Sequence, residues 1–424
     1  MKPSEKPPSK PRRPELAFLL EAMKCFAKSG TPADVRQALR NAVDWSLIQR
    51  LAYEHRITPL LCHIIKDHCG DLVPTEIMKR LNRRFNINRF HNQLLTKELV
   101  EIIKLFYSNG IQGIPYKGPA FAICAYGDIA LRQFVDLDII VPRADLASAK
   151  RLLISRGYRL RHHLGISAER QYLKRDYEYR FVRDDRPTII GLHWALAPHS
   201  YYFPLETVKL WDRATRTEIA GHMLLSPSPE DLLLLLCVHG MKDRWAKLAW
   251  ICDLGTFLHR HPSLNWQDLL SNASALHAGR VLLVGLGLVH FLLEFPLPAD
   301  IIERVKGDHL AMSLITSICA TINCAEEFQD TAIEEVYLTY LLSRERLRDR
   351  LRLYPELMYL RHWLPSRKIN EALWQFPRSL SLLHLVLYPF HFFGKCVTSG
   401  ILKIQNSYRE VTENHRLLHR SQGR

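Results

Sequence analysis

Apolar positions recur every three or four residues over the first quarter of the chain, and the interval shortens to two after residue 110. Leu16, Leu19, Leu20, Met23 and Phe26 share one helical face. Asp44 stands where an N-cap belongs, ahead of Trp45–Ala52. Ile77 to Ser108 keep helical spacing and run into Asn109-Gly110, a C-terminal stop. The pattern predicts a helical region over residues 15–110.

Beyond it, Gln112–Tyr116, Val135–Val141, Tyr177–Arg183 and Thr188–Trp194 read as strands. Ala144–Arg156 reads as a helix closed by Gly157, and Asp184-Asp185-Arg186-Pro187 as a hairpin turn. These form a small α/β core over residues 111–225. Helical spacing returns over residues 226–340, with Pro229-Glu230-Asp231 opening a helix that continues through Met241. Val281–Leu293 is uncharged but short of the roughly 20 residues of a membrane span, so it predicts a buried helix. Residues 341–424 read as a basic C-terminal helical region, and 1–14 as a disordered basic tail. The fold class is α+β, a small mixed sheet with helices embedded between helical regions.

Charge refines this picture. The chain of 424 residues carries a formal net charge of +15. Residues 1–14 hold net +4 and residues 341–424 net +9, which leaves +2 for the body. Positive charge gathered at the ends disfavours a nucleic-acid enzyme, which carries it around its cleft. It suits attraction to an anionic surface, or plain solvated helix faces. Ser379–Gly394 is uncharged and flanked by Arg378 and Lys395; it reads as packing against the helical domain or as an interfacial segment. The first residues are too polar for a signal peptide. The nine cysteines are an odd number in apolar patterns, which suits reduced thiols in a cytoplasmic protein better than a disulfide framework. Cys62-His63 and His68-Cys69 form a metal-like cluster whose spacing matches no usual zinc module.

The candidate chemistry lies between Ile114 and Asp138. Asp136 and Asp138 alternate with Val135, Leu137 and Ile139, so both carboxylates project from one strand face. Like charges on an apolar strand need a neutralising partner. A divalent cation, Mg²⁺ or Mn²⁺, fills that role through carboxylate oxygen. Upstream, Lys117-Gly118-Pro119 follows an apolar strand: Gly118 permits a close turn, Pro119 suits helix entry, and Lys117 adds a charge suited to a triphosphate. Arg132 contacts phosphate, holds an aspartate, or is a surface residue. Asp128 reads as a turn residue. His239 and Asp253 fall on successive helices with Trp245 and Trp250 between them; the pair is structural, or lines a nucleotide pocket where an aromatic stacks on a base.

Lys117-Gly118, Tyr126-Gly127-Asp128, Arg132 and Asp136-x-Asp138 together resemble the uncharacterised bacterial nucleotidyltransferase-like family, a branch of the DNA polymerase β-type superfamily. Asp44-Trp45, Leu51-Ala52, His55 and Pro59-Leu60-Leu61 are similar to its helical lead-in. Leu192-His193-Trp194, His239, Leu248-Ala249-Trp250 and Asp253-Leu254 resemble its later elements. The resemblance implies a nucleotidyltransferase-type sheet, Asp136 and Asp138 as catalytic metal ligands, and Lys117 as a phosphate contact; Gly118 and Arg132 join Lys117 as the residues expected at the nucleotide phosphates. It implies Mg²⁺-dependent transfer of a nucleoside monophosphate from NTP to an acceptor that the sequence leaves open.

This chain departs from the family at the third carboxylate. An acid is expected just before Leu192-His193-Trp194, and the residue is Gly191. His193 shares its face, and Glu178 on the neighbouring candidate strand is a substitute. The family's usual Gly-Ser pair before the first aspartate is also absent. A degenerate protein that binds nucleotide or a partner, and one docked through its C-terminal region on the inner membrane for envelope polysaccharide assembly, are the competing readings.

Overall fold

The computed structural model describes residues 13–41, 44–162, 165–186, 188–199, 203, 209–323 and 339–352. The tail before residue 13, the segment Ser379–Gly394 and most of the basic C-terminal region lie outside the described residues.

Helices form where apolar spacing and caps call for them. The first stretch carries α1 (Pro14–Phe26), α2 (Pro32–Asn41), α3 (Trp45–Glu54), α4 (Thr58–His68) and the long α5 (Thr75–Ser108). Asp44 caps α3 by accepting the Leu47 N–H at 3.0 Å. Asn109 and Gly110 end α5, Gly110 in a left-handed conformation.

The chain then enters the sheet through β1 (Ile114–Pro115) and turns into α6 (Gly118–Phe121), a helix of four residues that loosens into a π turn over Ala122–Tyr126. There follow β2 (Asp136–Ile140), α7 (Leu146–Ser155), β3 (Arg159–Leu160), α8 (Ile166–Arg175), β4 (Glu178–Val182) and β5 (Ile189–His193). The strand order is β1-β2-β5-β4-β3. β2 and β5 are parallel, and the other pairs are antiparallel. The expected strands all appear, each trimmed at its ends. Helix α8 and a separate hairpin, β6 (Thr215–Ile219) with β7 (His222–Ser226), have no counterpart in the sequence reading.

One sheet face is apolar. Leu137, Ile139, Phe181, Ile190 and Leu192 pack with Leu99 and Phe106 of α5 and Leu153 of α7 in one buried cluster. A second and larger core joins α1, α3 and α4 to the later helices α9 (Pro229–Lys242), α10 (Leu248–Arg260), α11 (Trp266–Ala275), α12 (Gly279–Leu293), α13 (Ala299–Gly307) and α14 (His309–Asn323). Segments on either side of the sheet in sequence thus meet in space: Lys24 of α1 pairs with Glu294 at 2.7 Å, and the Ser29 hydroxyl donates to the Leu293 carbonyl at 2.6 Å. Val281–Leu293 is buried within α12, as its lack of charge predicts. The polar sheet face looks toward α9, where Lys117 and Tyr177 meet His239 and Lys242.

Candidate functional site

The register of three strands builds a carboxylate centre. Asp138 of β2 lies opposite Gly191 of β5, Arg180 of β4 lies opposite Gly191 from the other side, and Glu178 lies opposite His193. Cross-strand partners share a face, so Asp138, Glu178 and His193 rise together on the polar side. All three are buried, and their ligand atoms lie within 4.8 Å of one another. Among the described residues they are the one such group. Cys62 and Cys69 are buried in the helical core instead, and His63 faces Asp67 at 3.5 Å, so the metal-like cysteine–histidine spacing assembles no cluster there.

His193 Nε2 stands 2.8 Å from Asp138 Oδ1 and 3.3 Å from Glu178 Oε2. Carboxylates only accept, so in this arrangement Nε2 carries a proton and donates to them. Nδ1 of the same ring is buried without a hydrogen-bond partner. Tyr116 and Tyr177 wall the ring at centroid distances of 5.5 and 5.7 Å. The Lys117 ammonium sits 3.4 Å from Asp138 Oδ2 and donates to His239 Nδ1 at 3.2 Å.

Gly191 makes this convergence possible. A Cβ there would fall 2.7 Å from Asp138 Oδ1, 2.8 Å from His193 Nε2 and 3.0 Å from Glu178 Oε2. The position lacking an acid in the sequence is therefore an opening, and Glu178 reaches into it from β4.

The electrostatics follow from crowding. Burial and the neighbouring Asp138 charge push the half-buried Asp136 up to about 6, against the pull of Lys117. Burial also opposes ionisation of Asp138, yet Lys117 and the His193 hydrogen bond hold it well below the usual carboxylate range. Burial opposes Glu178 too, and His193 with Arg180 lowers it overall. Burial, with Lys117 close by, keeps His239 far below the usual imidazole range, hence neutral and able to accept from the lysine.

Each expected residue can now be placed. Asp136 opens β2 on the same face as Asp138 but stands outside the tight group. Gly118 has φ +57°, and a Cβ there would meet the Asp136 carbonyl at 3.1 Å, so only glycine suits this turn. Helix α6 is too short for its dipole to matter, and the Lys117 ammonium of this turn contacts the Asp138 carboxylate. Of its readings, Arg132 shows the one that holds an aspartate, but a distant one: it is sealed against Asp253, its Nε and Nη2 each donating at 2.9 Å, while the Tyr126 hydroxyl donates to the same carboxylate at 2.7 Å. Of the two readings of Asp253, the structural one holds. Trp245 is fully buried and offers no stacking face; Trp250 lies edge-on to His239 at 5.3 Å. Asp128 caps its turn through the Ala130 N–H at 2.8 Å.

Two residues escaped the sequence reading. Lys242, half-buried and with its pKa lowered mainly by desolvation, donates to the Tyr177 hydroxyl at 3.0 Å. The signal was available: Lys242 lies three residues after His239 and so shares its helical face. Tyr177 directly precedes Glu178 and covers His193.

The donor set fits a divalent cation. It offers hard carboxylate oxygens and one imidazole that converge over Gly191. The sequence model of a family described as uncharacterised nucleotidyltransferase matches residues 41–294. The matched stretch includes both the helical lead-in and the sheet. No curated protein matches the chain. Solved structures similar to it include the solution structure of the antibiotic-resistance factor ANT(2'')-Ia, at 13% identity and a TM-score of 0.31, covering 43% of this chain and 91% of that one. Another is the crystal structure of an antigenic nucleotidyltransferase-like protein from Paracoccidioides brasiliensis, at 16% identity and a TM-score of 0.28, covering 50% and 94%. The chain belongs to the uncharacterised nucleotidyltransferase family.

Proposed function

We propose that this member of the nucleotidyltransferase family is an active, metal-dependent enzyme that moves a nucleoside monophosphate from NTP to a second reactant. The observation that carries the reading is the meeting of Asp138, Glu178 and His193 from three strands over Gly191. Carboxylates brought together in a buried place repel one another and suit a cation. Mg²⁺ or Mn²⁺ would be held by Asp136, Asp138 and Glu178, with His193 a fourth donor once Nε2 gives up its proton. Such an ion would supply charge neutralisation at the phosphates. Lys117, with Lys242 behind it, faces the triphosphate. In the transfer, an acceptor oxygen bonds to the α-phosphorus, the bond to the β-phosphate oxygen breaks, and pyrophosphate leaves. A proton on the attacking oxygen passes to solvent or to a basic carboxylate.

We further place the chain in the DNA polymerase β-type superfamily, as a cytoplasmic bacterial protein. The alternating aspartates and the reduced state expected of the cysteines support this placement. Peripheral contact with the inner membrane through residues 341–424 rests on their basic charge alone.

A second reading is favoured by one specific feature. Asp138 already has two protein cations or donors, Lys117 and His193, so the centre can stand without metal. A degenerate member would bind nucleotide and not turn it over. NTP consumption with Mg²⁺ or Mn²⁺, measured on the purified chain beside Asp136→Ala and Asp138→Ala, decides between them. Turnover that survives both substitutions removes the proposed centre, and metal-independent nucleotide binding without turnover favours the degenerate protein.

A further inference from the structure

We propose that the second reactant is an anion, specifically a phosphate monoester, held on an arginine wall at the β3–β4 side of the carboxylates. This rests on the nucleotidyltransferase reading above and assigns the class of its acceptor.

The wall follows from register. Arg180 lies opposite Gly191, and Val182 opposite both Ile189 and Arg159. The Arg161 N–H donates to the Arg180 carbonyl at 2.8 Å, which extends the pairing by one step. Strand alternation puts Glu178, Arg180 and Val182 on the carboxylate face, and cross-strand neighbours share it. Arg159 and Arg161 therefore stand on the same face as Asp138.

An open pocket of about 760 Å³ lies here, its lining including Arg159, Arg161, Arg183 and Arg186, with Val182 and Ile189 as its apolar floor. Ile189 is the residue opposite Asp136, so the pocket begins one strand from the aspartates. Asp184 and Asp185 also line it; Asp185 holds Arg183 at 2.7 Å and the buried Glu98 holds Arg186 at 2.8 Å, so Arg159 and Arg161 are the arginines the wall offers to a ligand. Arg159 is tied to Asp184 at 2.6 Å, but both side chains are more than half exposed, and such pairs exchange readily for a better anion. Arg161 has no carboxylate partner among the described residues. Guanidinium forks match phosphate oxygens in pairs.

Placement on the sheet separates this wall from the nucleotide side. Lys117 follows β1, at the opposite edge from β3. Four strand spacings, about 19 Å at the backbone, lie between them, with the carboxylates in the middle. Two cationic flanks around one carboxylate centre suit two anionic reactants, one on each side.

The test is an isothermal titration of inorganic phosphate into the full chain saturated with a non-hydrolysable NTP analogue. One phosphate site is expected, weakened at least fivefold in Arg159→Ser/Arg161→Ser, while analogue affinity changes less than twofold. Asp184→Asn frees Arg159 from its surface pair and is expected to tighten phosphate. Phosphate that binds only without the analogue identifies the wall as part of the triphosphate site and overturns the proposal. Affinity unchanged in the double variant overturns it as well, and acetate binding as tightly as phosphate overturns the phosphate class. If the analogue itself fails to bind, the nucleotidyltransferase reading fails separately. The same titration on the chain alone, with the same variants, still decides whether the wall holds phosphate.

Discussion

Asp138 and Asp253 are both buried aspartates with cationic partners, and they differ in what surrounds the pair. Asp253 takes two hydrogen bonds from Arg132 and one from Tyr126, all between 2.7 and 2.9 Å, in a pair with no second carboxylate. Asp138 holds His193 at 2.8 Å and Lys117 at a looser 3.4 Å, with Glu178 on the same histidine and Asp136 pushed up to about 6 beside it. The first centre is closed, with each charge matched within one cluster of side chains. The second gathers three carboxylates with Lys117, His193 and Arg180 around Gly191. Buried charge by itself therefore does not mark a site; like charges held together against their mutual repulsion do.

The sharpest break in this comparison is a pair of isosteric substitutions. Asp138→Asn is expected to lower NTP turnover about a thousandfold with little change in melting temperature. Asp253→Asn should do the reverse, costing about 3–5 kcal/mol of stability because Arg132 is left buried without its charge partner. Chemical denaturation and turnover measured on both variants check this; a large stability loss in Asp138→Asn with turnover intact would make the two centres equivalent.

Metal sharpens the contrast further. Mn²⁺ at 100 times its dissociation constant is expected to stabilise the chain by about 2.7 kcal/mol, seen as a rise in the thermal midpoint. The rise should vanish in Asp138→Asn and persist in a chain altered only at the surface. Gly191→Ala fills the cradle, with its Cβ 2.7 Å from Asp138 Oδ1, and is expected to cost about 1–3 kcal/mol and to remove the metal response.

The smallest expected effect concerns a buried group outside both centres. His55 accepts the Leu248 N–H at 3.3 Å, and burial, aided by the nearby Lys247 charge, pushes it down to about 4. Its folded pKa lies below the usual unfolded value of about 6.5, so the unfolded chain takes up the proton first as pH falls. Stability is full above about pH 6.5 and declines toward pH 4. Between pH 7 and pH 5 the loss is about 2 kcal/mol, read from urea midpoints. His55→Gln should flatten that slope. An unchanged slope would assign the acid sensitivity to the carboxylate centre.

Much of this was legible in the chain. The switch from helical to alternating spacing located the sheet, and the alternation of Asp136 and Asp138 put both on one face. Lys117-Gly118 was readable as a tight basic turn because the left-handed position at Gly118 demands glycine. Arg132 misled: an arginine four residues before the aspartates looks local, yet its partner lies 121 residues away on α10. The summed body charge of +2 also concealed local order, since Arg159, Arg161 and Arg180 align on one sheet face while acids elsewhere cancel them. Helix α8 and the β6–β7 hairpin went unread because nothing in their weak, polar patterns outweighs the packing that sets them.

The sequence by itself determined the α+β class, the paired aspartates, the glycine turn before them and the family. The hairpin turn set β4 beside β5, but nothing in the sequence set β5 beside β2, because alternation specifies a face and never a neighbour. The β2–β5 pairing joins positions some fifty residues apart, where loop-closure entropy and burial of the common apolar face decide. That pairing turned Gly191 from a missing acid into the opening that Glu178 and His193 fill, and only the tertiary structure decided it.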